Sequence, residues 1–232
     1  AHISDPHLTT LRGIRAGELC NKRILGYLSW LLRRRREHRR EVLAALLKDL
    51  HGRRPDHVVI TGDLTHVGTP RECDEAAQWL REVSARLPLT LIPGNHDCYT
   101  TAPWAETLGK WTEHMAGDES PSAAQGHDSF PTLRRRGPVA IIGLSSAVPS
   151  PPFFATGTLG TAQLQELERL LGTTGRAGLF RLVLVHHPPL PARLDRRRAL
   201  TDAAGLQQVL KRAGAELVLH GHCHRWLHTV VP

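Results

Sequence analysis

Short apolar runs recur along the chain, and most of them end in a turn that carries polar, chemically active side chains. Five runs have this form: 1–7, which starts inside the run, 57–64, 89–97, 181–189 and 215–224. A further run at 138–146 has no metal-type residue at its end. Continuous stretches of Val, Ile and Leu are typical of strands that are buried on both faces. The pattern therefore predicts six strands of a largely buried sheet.

Helical patterns lie between the predicted strands. Their apolar stripes are Val42, Leu43, Leu46, Leu47 and Leu50; Ala76, Leu80, Val83 and Leu87; Leu164, Leu167, Leu170 and Leu171; and Leu206, Val209, Leu210 and Ala213. Pro70 suits the first turn of a helix, and Thr161 and Thr201 are candidate N-caps. The alternation predicts an α/β fold with helices covering the sheet and functional residues at the carboxyl ends of strands.

Two segments interrupt this alternation. Residues 12–40 join apolar side chains to a dense basic run, and residues 98–137 read as an elaborated loop or a small cap. Since no repeat or linker divides the chain, we expect residues 1–232 to form one domain that carries both insertions. The chain begins without Met inside an apolar run and stops abruptly, so we infer that sequence is missing at both ends.

Composition narrows the class of protein. Hydrophobic residues make up 41% and charged residues 22% of the 232 residues, as in ordinary globular proteins. The sequence has neither an apolar run long enough for a membrane span nor a signal peptide. Its four cysteines have no CxxC spacing, which favours a reducing, cytoplasmic setting. Cys223 is expected to be inert because its side chain should point away from its histidine neighbours.

The net charge of +8 comes mostly from arginine clusters at 31–40, 133–137 and 194–200. Clustered cations attract polyanions, phosphorylated ligands or acidic lipid surfaces, although each cluster could equally be a solvated helix face. Without an aromatic platform of the RNA-binding type, nucleic acid is not the expected partner. The oligomeric state stays open.

The turns after the five apolar runs that end in polar side chains all carry residues of types that bind divalent metals. They are Asp5, His7, Asp63, Asn95, His96, His186, His187, His222 and His224. On an extended segment, His222 and His224 would point to the same side. Carboxylate, amide and imidazole donors together suit Mn, Fe, Zn or Co, whereas calcium prefers oxygen alone. About seven ligands would overfill one ion, so we expect two divalent ions that share a carboxylate.

In their order along the chain these motifs resemble those of the calcineurin-like metallophosphoesterases. The match comprises DxH at 5–7, GDL at 62–64, GNHD at 94–97, HHP at 186–188 and GHxH at 221–224. The resemblance implies a four-layer α/β/β/α sandwich of two mixed β-sheets flanked by helices. It also implies a dinuclear metal centre at one edge.

Position by position, the resemblance assigns roles to these residues. Asp5, His7 and His224 would bind the first metal, Asn95, His186 and His222 the second, and Asp63 would bridge both. His96 would lie beside the scissile phosphate and stabilise charge or protonate the leaving group. His186 is chosen over His187 because the first histidine of HHP is the usual ligand. Asp63, Asn95 and His96 are thus the expected catalytic residues.

The expected activity is hydrolysis of a phosphodiester or pyrophosphate by a bridging hydroxide of the dinuclear centre. Residues 21–40 weakly resemble a region of bacterial enzymes that cleave UDP-diacylglucosamine, so a membrane-surface lipid pyrophosphatase is one alternative. A cyclic-nucleotide phosphodiesterase is another. A metal-stabilised binding module is a third, and the presence of His96 argues against it. The substrate is therefore a phosphorylated small molecule or lipid.

Three further expectations concern single features. Residues 24–40 could contact an anionic membrane at the inner surface, unless their apolar side chains pack on the domain and only the arginines face water. His66 is expected to be a solvated loop histidine rather than a substrate contact. Asp97 either orients a neighbour of the metals or merely ends its turn.

Overall fold

The computed structural model describes residues 1–118, 126–190 and 195–230. Its strands are β1 (His2–Ile3), β2 (Val58–Ile60), β3 (Leu89–Leu91), β4 (Thr132–Arg136), β5 (Val139–Gly143), β6 (Phe180–Leu184) and β7 (Leu217–Leu219). Its α-helices are α1 (Arg23–Ser29), α2 (Arg35–Glu37), α3 (Arg40–Arg53), α4 (Pro70–Ser84), α5 (Thr112–Met115), α6 (Thr161–Arg176) and α7 (Ala203–Ala213). Short 3₁₀ turns occur at Ala16–Leu19, Trp104–Glu106, Leu108–Trp111, His127–Ser129 and Arg196–Arg198, and a π-helical turn, Trp30–Arg34, joins α1 to α2.

The strands form two sheets. In the first, β1, β2 and β3 are all parallel, with Ile3 paired to Ile60 and Ile60 paired to Leu91. The second has the order β4-β5-β6-β7 and is mixed, since β4 runs antiparallel to β5 while β5, β6 and β7 are parallel. Parallel strands direct their carboxyl ends to one edge, which is where the predicted ligands begin.

Alternation along β5 and β6 shows how the layers stack. Ile141 and Leu184 belong to the core shared with Ile60 and Leu91 of the first sheet. Ile142 and Val183, one position away, pack instead with apolar residues of α6 and α7. Since neighbouring residues of a strand point to opposite faces, one face of the second sheet meets the first sheet and the other meets helices. Leu80 and Val83 of α4 pack on the first sheet from outside, which completes the predicted four-layer sandwich.

The strand and helix assignments are confirmed, with differences at their ends. Thr161 and Thr201 do not cap: the N-cap residues of α6 and α7 are Gly160 and Asp202. Asp202 accepts hydrogen bonds from the Gly160 amide instead, at 2.8 Å. Pro70 does open α4, and Thr69, which was not among the predicted caps, is its N-cap residue. Local sequence favours a cap type but does not decide which candidate is placed at the helix start.

Segment 98–137 is more than a loop or cap. Its Leu108, Trp111 and Met115 are buried in the core between α4 and the first sheet, and its end forms β4. The hydrophobic pattern did not predict this strand, because three consecutive arginines at 134–136 follow a single leucine. An edge strand with one solvent-exposed side tolerates such charges. Residues 119–125 of this segment lie outside the described residues.

Segment 12–40 folds as an interrupted helix that packs on the loops following β2 and β3. Trp30 is buried with Leu11 and Val67, whereas Ile24, Leu28 and Leu32 are exposed. The apolar residues are therefore divided between packing on the domain and facing water. In α3 the predicted stripe is narrower than expected, since Val42 and Leu46 are exposed. Among the described residues, no helix has the length and apolar character that crossing a bilayer requires.

Candidate metal centre

The predicted ligands meet at the edge where the parallel strands end. Asp5 and His7 follow β1, Asp63 follows β2, Asn95 follows β3, His186 follows β6, and His222 and His224 follow β7. The two sheets contribute to the same cluster: the Asp63 Oδ2 lies 3.7 Å from the His7 Nε2 and 3.4 Å from the His186 Nε2. Residues as far apart in sequence as Asp5 and His222, which are separated by 217 positions, are thus neighbours, as the topology predicts.

Two sets of donor atoms share one carboxylate. Asp5, His7, Asp63 and His224 form one set and Asp63, His186 and His222 the other, and in each set the donor atoms lie within 4.8 Å of one another. The Asn95 Oδ1 extends the second set, at 3.1 Å from the His186 Nε2 and 2.8 Å from the His222 Nδ1. Carboxylate, amide and imidazole donors in two overlapping groups suit a pair of divalent transition-metal ions.

The backbone at the ligands is unusual. Asp5, His7, Asp63, His222 and His224 all have positive φ angles, between 39° and 71°. Such conformations cost about 1–3 kcal/mol each and cluster at functional sites where the fold over-determines them. They also correct one expectation: β7 ends at Leu219, so His222 and His224 converge through left-handed turns and not through the alternation of an extended strand.

Glycine makes room for this backbone. A β-carbon at Gly221 would lie 2.7 Å from the Asp5 Oδ2, and one at Gly94 would lie 2.5 Å from the Asp63 amide nitrogen. Both distances are far inside van der Waals contact, so only glycine lets the GHxH and GNHD turns approach the carboxylates this closely.

Backbone carbonyls fix the orientation of two ligand rings. The Nδ1–H of His7 donates to the Thr65 carbonyl at 2.7 Å, and the Nδ1–H of His186 donates to the Thr61 carbonyl at 2.6 Å. In each ring the Nε2 is left to face the centre. A carbonyl behind a ligating imidazole is the usual way that proteins select its tautomer.

Buried nitrogen atoms without a partner show that the cluster is built for a cation. The His7 Nε2 and the His222 Nε2 are buried, and neither has a hydrogen-bond partner. Such an atom costs about 1–3 kcal/mol when it is left unsatisfied, and a metal ion removes that cost. The residues present therefore fit two divalent ions, and Asp5, His7, Asp63, Asn95, His186, His222 and His224 would hold them.

Charge within the cluster depends on Asp63. Burial lowers the pKa of His7 and His222, so both rings are neutral and keep a lone pair. Although burial opposes a charged ring, the Asp63 carboxylate raises the pKa of His186 to about 9. A cation held in the centre would therefore lie beside an anionic carboxylate, and its binding would compete with a proton for His186.

Asp97 supports the centre from behind. Its carboxylate accepts hydrogen bonds from the backbone amides of Asp63 at 2.8 Å, Gly94 at 2.9 Å and Thr65 at 3.0 Å. Burial and the nearby Asp63 carboxylate raise the pKa of Asp97 to about 7. Of the two roles considered for Asp97, the structure shows that it orders the loops of two predicted ligands and does not merely end a turn.

His187 and His66 are both fixed in the protein interior. The His187 Nδ1 lies 2.8 Å from the Ser146 hydroxyl and its Nε2 lies 3.2 Å from the Ala155 carbonyl, so both nitrogens have partners. Expecting a solvated loop histidine at position 66 was wrong: His66 is only 3% exposed and stacks on His7 with ring centroids 5.2 Å apart. Its loop is held inside because Glu72 accepts a hydrogen bond from the His66 amide at 2.7 Å.

His96 lies beside the donor sets, and its hydrogen bonds define its protonation. Its Nδ1–H donates to the His66 carbonyl at 2.6 Å, while its Nε2 lies 2.8 Å from an Nη1 of Arg34. Since a carbonyl only accepts and a guanidinium only donates, the ring is neutral with its lone pair on the Nε2. Burial accordingly lowers the pKa of His96 to about 3.

Segment 12–40 brings two residues to the centre that are not among the predicted site residues. Arg34 reaches His96, and the ring centroid of His38 lies 4.5 Å from that of His7. Both belong to the run "RRRREHRR", which composition presents only as a basic cluster. The available signal is their spacing, because residues four apart share one helix face. Cys223 is absent from both donor sets, as expected, and among the described residues its thiol is free.

The proteins that this chain resembles in sequence include phosphodiesterases. The sequence model of the calcineurin-like phosphoesterases matches residues 1–226. A cAMP/cGMP dual specificity phosphodiesterase of Mycobacterium tuberculosis is 32% identical over 188 residues, 78% of this chain and 53% of that protein. A glycerophosphodiester phosphodiesterase of Enterobacter lignolyticus is 32% identical over 150 residues, 64% of this chain and 48% of that protein. The chain thus spans about half the length of these curated relatives.

A solved structure shares the fold. The crystal structure of a dimetal phosphatase from Danio rerio matches with a TM-score of 0.54, covering 96% of this chain and 80% of that one at 14% identity. At so low an identity, the similarity concerns the arrangement of sheets and helices alone.

Proposed function

Because the chain belongs to the calcineurin-like phosphoesterase family, we propose that it is a metal-dependent hydrolase of phosphodiester bonds. The observation that carries this proposal is the sharing of the Asp63 carboxylate by two donor sets at one edge of the sandwich. Two divalent ions held there would activate water and neutralise phosphoryl charge. Asp5, His7 and His224 would hold the first ion, Asn95, His186 and His222 would hold the second, and Asp63 would contribute to both.

His96 and Arg34 are the residues beside the donor sets to which we assign a role at the phosphate. With its Nδ1–H engaged by the His66 carbonyl, a neutral His96 has no proton on the Nε2 to give to a leaving group. The guanidinium of Arg34 is permanently charged and stands within 2.8 Å of that nitrogen. We assign to Arg34 the neutralisation of a phosphoryl oxygen, and to His96 the positioning of that guanidinium.

The substrate is proposed to be a small phosphodiester. The relatives named for cyclic nucleotides and for glycerophosphodiesters support this class. A lipid-linked pyrophosphate is the alternative, and the exposed Ile24, Leu28 and Leu32 next to the arginine run favour it as a place for acyl chains or a membrane surface. Trp30, buried in the domain, is not available as a membrane anchor. A reducing cytoplasm as the setting remains a prediction, which rests on the lack of CxxC spacing among the four cysteines.

The activity is tested with a chromogenic bis-aryl phosphodiester and added Mn²⁺. Asp63→Asn removes the shared ligand and should lower kcat by at least about 1,000-fold, since it weakens both sites at once. Asp56→Asn, at an exposed aspartate remote from the cluster, should leave kcat unchanged. If the wild type binds two ions yet hydrolyses no phosphomonoester, phosphodiester or pyrophosphate, the protein is a metal-stabilised binding module instead.

Substrate class is decided by a parallel profile. Cyclic nucleotides, glycerophosphodiesters and UDP-diacylglucosamine are offered at equal concentration to the same metal-loaded protein. The proposal expects higher kcat/KM on one of the diesters. Preference for the lipid, together with sedimentation on anionic vesicles that Leu28→Ser and Leu32→Ser abolish, would replace the small diester by the membrane substrate.

A further inference from the structure

A histidine from the inserted helix lies at the metal centre. His38 ends α2 as its C-cap residue, and its ring centroid is 4.5 Å from that of His7 and 5.6 Å from that of His224. The donor nitrogens of His7, His38 and His224 all lie within 4.8 Å of one another. Three imidazoles at this separation form a nitrogen-rich group that divalent transition metals bind readily.

The His38 ring has an unused nitrogen that is directed into the protein. Its Nε2 is buried and has no hydrogen-bond partner, like the Nε2 of His7 beside it. A buried nitrogen without a partner is costly, and an ion shared by His7 and His38 would remove that cost at both rings. An unpartnered buried nitrogen also occurs in His51 of α3, so what distinguishes His38 is that its donor nitrogen lies within 4.8 Å of those of His7 and His224.

Helix geometry directs His38 to this position. The π-helical turn Trp30–Arg34 inserts an extra residue per turn and so rotates the following turn relative to α1. Arg34 and His38 are four residues apart in the sequence, and after this turn the His38 amide donates to the Arg34 carbonyl at 3.0 Å. Both side chains therefore point to the centre, one to His96 and one to His7. Bulges of this type occur frequently at functional sites.

We propose that His38 is a further protein ligand of the first metal ion, added to Asp5, His7, Asp63 and His224 by the inserted helix. The inference rests on the proposed function, which places an ion in that donor set. It gives the insert a defined role: when the ion binds, His38 ties the helix Arg23–His38 to the domain, so occupancy of the centre and order of the insert are coupled.

Metal binding itself tests the proposal, without any substrate. Wild type, His38→Leu and His38→Cys are titrated with Co²⁺, and affinity, stoichiometry and visible spectrum are recorded. His51→Leu is the matched control, because His51 is also half-buried with a buried, unpartnered Nε2 but lies in α3 away from the cluster. Protection of segment 23–38 against protease, with and without Co²⁺, reports the coupling.

We expect the wild type and His51→Leu to bind two ions alike. His38→Leu should lose at least about tenfold in affinity for one of them, since even groups behind a ligand are worth that much. It should also lose the metal-dependent protection of segment 23–38. His38→Cys should regain affinity and add a thiolate-to-cobalt absorption band, because thiolate is a good ligand for this ion.

Two results overturn the inference, and they are distinguishable from failure of the proposed function. If the wild type binds two ions and His38→Leu binds them with unchanged affinity and spectrum, His38 is not a ligand while the dinuclear centre stands. If His38→Cys is folded and binds two ions without a thiolate band, the conclusion is the same. If the wild type binds no ion, both the proposed function and this inference are wrong.

Discussion

The two segments that interrupt the predicted alternation have opposite roles in the structure. Segment 12–40 lies over the metal centre, to which it contributes Arg34 and His38. Segment 98–137 begins beside the centre, where Tyr99 stacks on His96 with ring centroids 5.5 Å apart, but it mainly fills the core with Trp111 and Met115. The first is half-exposed and strongly basic, whereas the second holds some of the most deeply buried side chains of the chain.

The two insertions show that a segment can contribute either to stability or to the chemistry of the site. A segment that buries large apolar side chains stabilises the fold, because burial removes apolar area from water. A segment that holds charge beside a cluster of metal ligands buries little apolar area but changes the electrostatic potential at those ligands. We therefore expect variants in segment 98–137 to change the free energy of unfolding, and variants in segment 12–40 to change kinetics.

The largest effect is expected for Trp111→Ala. Trp111 is fully buried, and its indole N–H donates to the Cys73 carbonyl at 2.9 Å. The substitution leaves a cavity and an unsatisfied carbonyl, so the free energy of unfolding should fall by about 3–5 kcal/mol. Denaturant titration measures this loss, and kcat/KM of the protein that remains folded should be unchanged.

Trp226→Ala is the control for this measurement. Trp226 is 91% exposed, and its removal should change the free energy of unfolding by less than about 0.5 kcal/mol. The contrast between the segments breaks down if Trp111→Ala keeps wild-type stability, or if the variant is stable and loses activity, since Trp111 would then act on the centre.

An effect of intermediate size is expected for Arg34→Met. Methionine keeps much of the length and helix propensity but removes the charge next to His96. If Arg34 neutralises a phosphoryl oxygen, kcat/KM should fall about 100-fold, or about 2.7 kcal/mol in the transition state. The free energy of unfolding should change by less than about 0.5 kcal/mol.

Arg36→Met tests whether position or mere charge is responsible. Arg36 belongs to the same run but is exposed. It should leave kcat/KM within about twofold of wild type, because exposed charges are screened by water and salt. Equal losses in both variants would mean that the arginine run acts as a diffuse field, and the specific role of Arg34 would be wrong.

The two segments also differ from the strand-end ligands in whether their positions could be predicted from the sequence. Asp63 and His186 follow apolar strands at motif spacing, so the strand pattern alone places them at one edge. Arg34 and His38 reach the same edge only through a π-helical turn and the docking of Trp30, and neither feature has a local pattern. β4 was missed because its arginines conceal a strand, and the charges of a wet sheet edge resemble those of a loop.

The predicted caps failed for a related reason. Thr161 and Thr201 are good capping residues, yet each stands one residue away from the position that the fold selects. The Asp202 carboxylate accepts hydrogen bonds from the amides of Leu159 and Gly160, which links the starts of α6 and α7. Tertiary contacts decide between neighbouring candidates where local preference is nearly equal.

The smallest effect concerns a charge within segment 98–137, where Asp118 is hydrogen-bonded to β4. The Asp118 carboxylate accepts hydrogen bonds from the Arg135 amide at 2.7 Å and from the Arg136 guanidinium at 3.0 Å. Although burial disfavours the charged form, these hydrogen bonds hold the pKa of Asp118 below its ordinary value. Because the carboxyl is 42% exposed, Asp118→Asn should cost only about 0.5 kcal/mol of unfolding free energy at pH 7.

The pH dependence of that loss identifies its cause. A carboxyl whose pKa is lower in the folded than in the unfolded state stabilises the protein fully above the unfolded pKa of about 4. The stabilisation disappears as the pH falls through the folded value, where both states bind the proton. Urea titrations should therefore separate wild type from Asp118→Asn at pH 7 and show no difference near pH 2. A loss that persists in acid would mean that the side chain acts through packing, and that segment 98–137 is held by burial alone.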